Sequence, residues 1–187
     1  MPTISPSHPV SPETLCQILA YRGYPAQLAP LTQGSAFQQV VVSGPYRIGP
    51  EASDPERVLV LTLMYMNDAL QSLGKSVESQ SDILQIYLRL PFEVLAAQQA
   101  DVLHLIRAYN AFLPLGHFEL QADQGICCRY RWHTFGRDVD GMVLLESLET
   151  MLFYVEQLGY RLEAVATGQR SLADTLNDEM QFQPPPQ

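Results

Sequence analysis

The sequence predicts an α+β fold: a mainly antiparallel sheet of about five strands with helices packed on it, in the order α-β-β-β-α-β-β-α. Three observations predict it. The run "DILQIYLRLP" (82–91) alternates its side chains with period two. Residues 93–113 switch to helical period and lead into a hairpin over 116–135. A long helix with heptad-spaced apolar residues then begins near Asp140. Neighbouring strands gathered between helices argue for one α+β domain over residues 11–170, with a flexible arm at 1–10 and a short helical turn and Pro-rich tail at 171–187.

The elements follow in order. Residues 1–10 carry three prolines and little to bury. Ser11-Pro12 starts a helix, since serine caps and proline suits the first helical position. Leu15, Ile18 and Leu19 form its apolar stripe, and Gly23 with Pro25 ends it near Arg22. "FQQVVV" (37–42) reads as the first strand. "SGPYRIGPEASDPE" (43–56) reads as a loop with a short extended piece at 46–48. "RVLVLTLMYM" (57–66) is apolar on both faces and predicts a strand buried on both sides. A polar connection spans 67–81. In the third strand Leu84, Ile86, Leu88 and Leu90 face one way, Ile83, Gln85, Tyr87 and Arg89 the other, and Pro91 closes it.

In the middle helix Leu95, Val102, Ile106, Tyr109 and Leu113 share a face, and Pro114 stops the run. The hairpin turns at Asp123-Gln124-Gly125. Its return strand sets Ile126, Cys128, Tyr130 and Trp132 against Cys127, Arg129, Arg131 and His133. The last helix carries Leu144, Leu148, Met151, Val155, Leu158, Leu162 and Val165 at alternating steps of four and three. A seam of this kind after a sheet is expected to cover that sheet rather than to form a coiled coil. Gly168 ends the helix, Ser171 with Asp174 makes a capping box, and "QFQPPPQ" closes the chain.

Composition narrows the functional classes. The 187 residues carry a net charge of −9, with ten arginines and a single lysine, Lys75. Nucleic acid and anionic membranes need clustered cations, so this balance argues against both. No apolar stretch approaches the ~20 residues needed to span a bilayer. The opening "MPTISPSHPV" lacks a charged and then apolar signal, so a cytoplasmic location is expected. The three cysteines, Cys16, Cys127 and Cys128, are odd in number. Two are adjacent on one strand, which sends them to opposite faces; they read as reduced thiols packing as small hydrophobes.

Several phrases resemble the YbjN family, whose fold is like that of type III secretion chaperones. They are "LRLPFEV" (88–94), "LIRAYNAFLPLGHFEL" (105–120) and "GICCRYRWHTFGRDVDGMVLLESLETML" (125–152). The features carrying the likeness are Leu90-Pro91-Phe92, Asn110, Leu115-Gly116-His117-Phe118 and Tyr130-Arg131. The resemblance covers residues 81–170 well. It implies a homodimer, with the middle helix (93–113) as its meeting surface, and a protein- or peptide-binding role. It brings no catalytic residues.

Catalytic and metal readings are weak. The histidines His8, His104, His117 and His133 show no metal-ligand spacing, although His117 and His133 fall on one face of paired strands. Cys127 and His133 lie three strand steps apart, at about 6.5–7 Å per step, too far for a nucleophile–base pair. Asp138 and Asp140 are better explained by helix capping than by a calcium loop. No cofactor and no metal are expected, and no nucleotide or hydrolase motif occurs.

A binding reading has more support. Tyr87, Arg89, Arg129, Arg131 and His133 are expected to share the outer face of the sheet. The arginine fork suits carboxylates and aromatic stacking. The alternatives at this face are a segment of a protein or peptide partner, or a small anionic ligand bound by a regulatory domain. The bland alternative is an ordinary polar outer face. The sequence thus points to a non-catalytic, chaperone-like protein-binding module.

Overall fold

The computed structural model describes residues 9–31, 37–48, 52–76, 80–123 and 125–181. Arm residues 1–8, turn residue Gln124 and tail residues 182–187 lie outside them. The fold is α+β, and its sheet is wholly antiparallel, with six strands in the order β1-β2-β3-β4-β6-β5. The strands are β1 (Ala26–Leu28), β2 (Val40–Ile48), β3 (Ala52–Tyr65), β4 (Ser81–Glu93), β5 (His117–Leu120) and β6 (Gly125–Phe135). The helices are α1 (Pro12–Tyr21), α2 (Met66–Ser72), α3 (Gln99–Asn110), α4 (Gly141–Ala166) and α5 (Leu172–Gln181).

The start and stop signals act as their chemistry requires. The Ser11 hydroxyl accepts from the Thr14 amide at the head of α1, and the Asp140 carboxylate accepts from the Met142 and Val143 amides at the head of α4. Asp140 is therefore a cap. Gly168, at φ +71°, supplies the left-handed turn after α4. Gly116 joins α3 to β5 at φ +69°, and a Cβ there would lie 2.9 Å from the Arg129 carbonyl oxygen, so no other residue fits without displacement.

The structure differs from expectation at five places. The stretch taken as a loop, 43–56, belongs mostly to the β2–β3 hairpin. Pro45 is tolerated there because β1 pairs only with Val40–Val42, leaving β2 an edge strand beyond them. Residues 37–39 precede β2, and the strand begins at Val40. β4 runs past Pro91 to Glu93 through a bulge opposite β6, where the missing N–H breaks no ladder bond. The connection at 67–81 contains α2, and the C-terminal turn is a ten-residue helix.

One face of the sheet carries the core. Leu61, Leu63, Leu84, Ile86, Leu88, Phe118 and Cys128 meet α1, α3 and α4 there. All seven seam residues of α4 are buried, so the seam covers the sheet. Val102, Leu105, Ile106 and Tyr109 of α3 are likewise buried inside the chain, leaving Leu103, His104 and Arg107 outward.

A polar knot closes one end. Asp82 is only 4% exposed. Its carboxylate accepts from the Asn67 amide at 3.0 Å, the Ile83 amide at 2.8 Å and Arg137 Nε at 2.9 Å. Arg137 also pairs with Asp68 and lies 4.3 Å over the Tyr65 ring. At φ +59° it occupies a conformation that a long side chain rarely adopts, held by these ion pairs. Tyr65 Oη donates to the Val10 carbonyl, and the Val10 amide donates to the Arg137 carbonyl, so the start of the described chain is tied to the same knot.

The two edges of the sheet differ. At β5, Asn110 supplies what a further strand would. Its Oδ1 accepts from the Phe118 amide at 2.8 Å and its Nδ2 donates to the Phe118 carbonyl at 3.0 Å.

Candidate binding site

The five residues singled out in the sequence stand together on the outer face. Tyr87 pairs in register with Arg129, Gln85 with Arg131, Ile83 with His133 and Arg89 with Cys127. Antiparallel partners point to the same side, so these side chains form one block on β4 and β6. The arginines are largely committed within the chain. Arg89 meets Asp123 at 2.6 Å, and Arg129 meets Glu119 at 3.0 Å while lying 5.7 Å from the Tyr87 ring centre. Arg131 donates to Gln85 Oε1 at 3.2 Å. The partial burial of Glu119 works against its charge, yet the His117 hydrogen bond and Arg129 hold its carboxyl below the usual range. The Arg89 hydrogen bond and the Gly125 amide lower that of Asp123. Salt bridges across strands thus neutralise a patch whose sequence displayed only the cations.

Cys127 belongs to this outer row, yet it is 0% exposed. Long neighbours cover it: Gln121 Nε2 lies 3.2 Å from its sulfur, and Glu119, Tyr87 and Arg129 surround it. Burial, then Glu119, pushes its thiol up, which makes it a poor nucleophile. His117 stands opposite Arg129 and bonds to Glu119. His133 is four residues further along, about 13 Å away by strand rise. Among the described residues no group of three or more His, Cys, Asp or Glu side chains is placed to hold a metal ion.

A concavity lies on the other side of the sheet, where the sequence analysis names no candidate residue. A cleft of ≈ 570 Å³ opens between α4 and the β2–β3 hairpin. Val42, Leu59 and Leu61 form its floor, Leu148, Leu152 and Phe153 one wall, and Gly23–Pro25 with Ser43–Pro45 the opposite side. Glu149 and Glu156 stand on its rim, one heptad apart. Glu149 pairs with Arg22 at 2.6 Å. Tyr24 faces the cleft, its hydroxyl pushed up by burial and then by Glu149, with Glu156 adding to it. Phe153, 55% exposed, is a large apolar side chain turned to solvent beside an apolar floor. Helix positions 149, 152, 153 and 156 thus meet a wall built from residues more than a hundred positions away.

No helix of the described residues is long and apolar enough to cross a membrane. Neither the protein-family models nor the curated proteins compared with the chain give a match.

Proposed function

We propose that this chain is a non-catalytic protein-binding module, chaperone-like in holding an extended segment of a partner, and acting in the cytoplasm as a homodimer. The observation that carries the reading is the apolar cleft with its glutamate rim. Its volume falls within the range of binding pockets, about 300–1,000 Å³. It is an open groove bordered by strand and helix, and such a groove suits an extended segment better than an enclosed small molecule. The occupant it fits carries apolar side chains for the floor and an arginine or lysine for Glu156, since Glu149 already pairs with Arg22. The resemblance to the YbjN family supports the same class of role. An anionic ligand at the arginine face has less support, because Glu119 and Asp123 already occupy Arg129 and Arg89.

The test is fluorescence anisotropy with labelled synthetic peptides of about 12 residues, apolar with one arginine, apolar alone, and apolar with one glutamate. The first series is expected to bind in the micromolar range, about −8 kcal/mol, and Phe153→Asp is expected to abolish it. Equal binding by Phe153→Asp, or preference for the glutamate series, overturns the proposal.

A further inference from the structure

The sequence of β3 encodes burial on both sides, and the described residues of the single chain supply only one. The inward row, Leu59, Leu61, Leu63 and Tyr65, is buried in the core. The outward row is Val58, Val60, Thr62 and Met64, where a solvated antiparallel strand ordinarily carries polar residues. Val58 is 47% and Val60 42% exposed. The register sets them beside Pro45 and Ser43 on β2, while Arg89, Tyr87 and Gln85 of β4 flank Val60, Thr62 and Met64. None of this outer row touches the hydrophobic core, and all the helices that bury the sheet lie on its other side.

We infer that this face is covered by a second copy of the same chain, sheet against sheet, with the β3 rows at the centre. The inference rests on the homodimer in the reading above and names the surface that joins it. Charge favours this surface. Across β4, β5, β6 and the turn between the last two, the face carries Arg89, Arg129 and Arg131 against Glu93, Glu119 and Asp123, equal in number. The chain as a whole is at −9, so the negative excess lies elsewhere. Two copies would repel across the acidic α4 surface and meet here without stacking like charge. Size favours it too. Six strands at about 4.8 Å spacing span about 24 Å, and β4 and β6 extend for more than about 30 Å. That footprint approaches the ~800 Å² that each partner gives to a standard stable interface. Arg89 and Arg129 already hold their carboxylates within each copy, so docking need not strand either charge, and Arg131 is held by Gln85.

The proposal is tested by sedimentation equilibrium of the full chain from about 1 to 100 μM, with circular dichroism as the check on folding. The wild-type protein is expected at twice the 20.9 kDa chain mass. Val60→Arg, which puts an unpaired charge at the centre of the contact, is expected to weaken association at least about 100-fold with an unchanged spectrum. Val58→Arg serves as the second variant should Val60→Arg fail to fold. The cleft variant Phe153→Asp is expected to remain a dimer, which separates this surface from peptide capture. A monomeric wild-type protein at 100 μM overturns the homodimer itself. A dimer undisturbed by both arginine variants overturns this surface alone.

Discussion

Asn110→Ala removes both hydrogen bonds that the α3 terminus makes to the outer edge of β5. Each bond contributes about 0.5–1.5 kcal/mol net, more where the backbone group left behind is out of water. Phe118 is 1% exposed, so its amide and carbonyl gain little from solvent. Alanine offsets about 0.5 kcal/mol of the loss through its higher helix propensity. The expected cost is about 2 kcal/mol, or a fall in Tm of about 4–8 °C for a chain of this size. Urea denaturation followed by circular dichroism measures it directly. Asn110→Asp sharpens the reasoning. It keeps an acceptor for the Phe118 amide but turns a second carboxylate oxygen on the Phe118 carbonyl. It should cost at least as much as alanine at pH 7 and recover part of the loss near pH 4, where the carboxyl gains a proton. A loss below about 0.5 kcal/mol for both variants would refute the view that Asn110 stands in for a missing strand.

Three further predictions concern charge pairs and a buried thiol. Arg137→Ala leaves the Asp82 carboxylate without its cation and is expected to cost about 3–5 kcal/mol by urea denaturation. Arg22→Ala, which breaks an exposed pair, should cost less than about 1 kcal/mol in the same assay. The Cys128 thiol is pushed up to about 12 by burial, then by its neighbours Cys127 and Glu119. A group raised in the folded state contributes stability in full below its unfolded value and loses it as pH rises toward the folded one. Alkaline destabilisation should therefore set in near pH 9 and continue to about pH 12. Cys128→Ala should flatten that slope in stability measured against pH, and an unchanged slope would count against the thiol as its source.

Much of this architecture is written locally. Ser11-Pro12 and Asp140 announce helix starts because caps are short-range chemistry, and the β4 alternation and the α4 seam repeat often enough to fix a face. What could not be read has a common cause in distance. β1 is three residues held only by pairing to β2, and α2 is a seven-residue helix without a side-chain cap or buried residue. The prolines of 43–56 speak for a loop, and only the knowledge that β2 is an edge strand reconciles Pro45 with a strand. The candidate sites divide in the same way. Alternation placed Tyr87, Arg89, Arg129, Arg131 and His133 on one face, but did not show the ion pairs to Glu119 and Asp123 or the burial of Cys127. The cleft was illegible because its walls come from α4, the β2–β3 hairpin and the turn after α1.

The way the sheet ends governs how the molecule can multiply. A strand edge with free donors and acceptors is an open-ended template, and each chain added there offers the next one the same surface. Here Asn110 stoppers one margin, and a three-residue strand with Pro45 beyond it blunts the other. Growth is left to the flat face, and a face used by its own copy is used up in one step. The pair proposed above is accordingly a closed one, with no surface left to propagate a fibre.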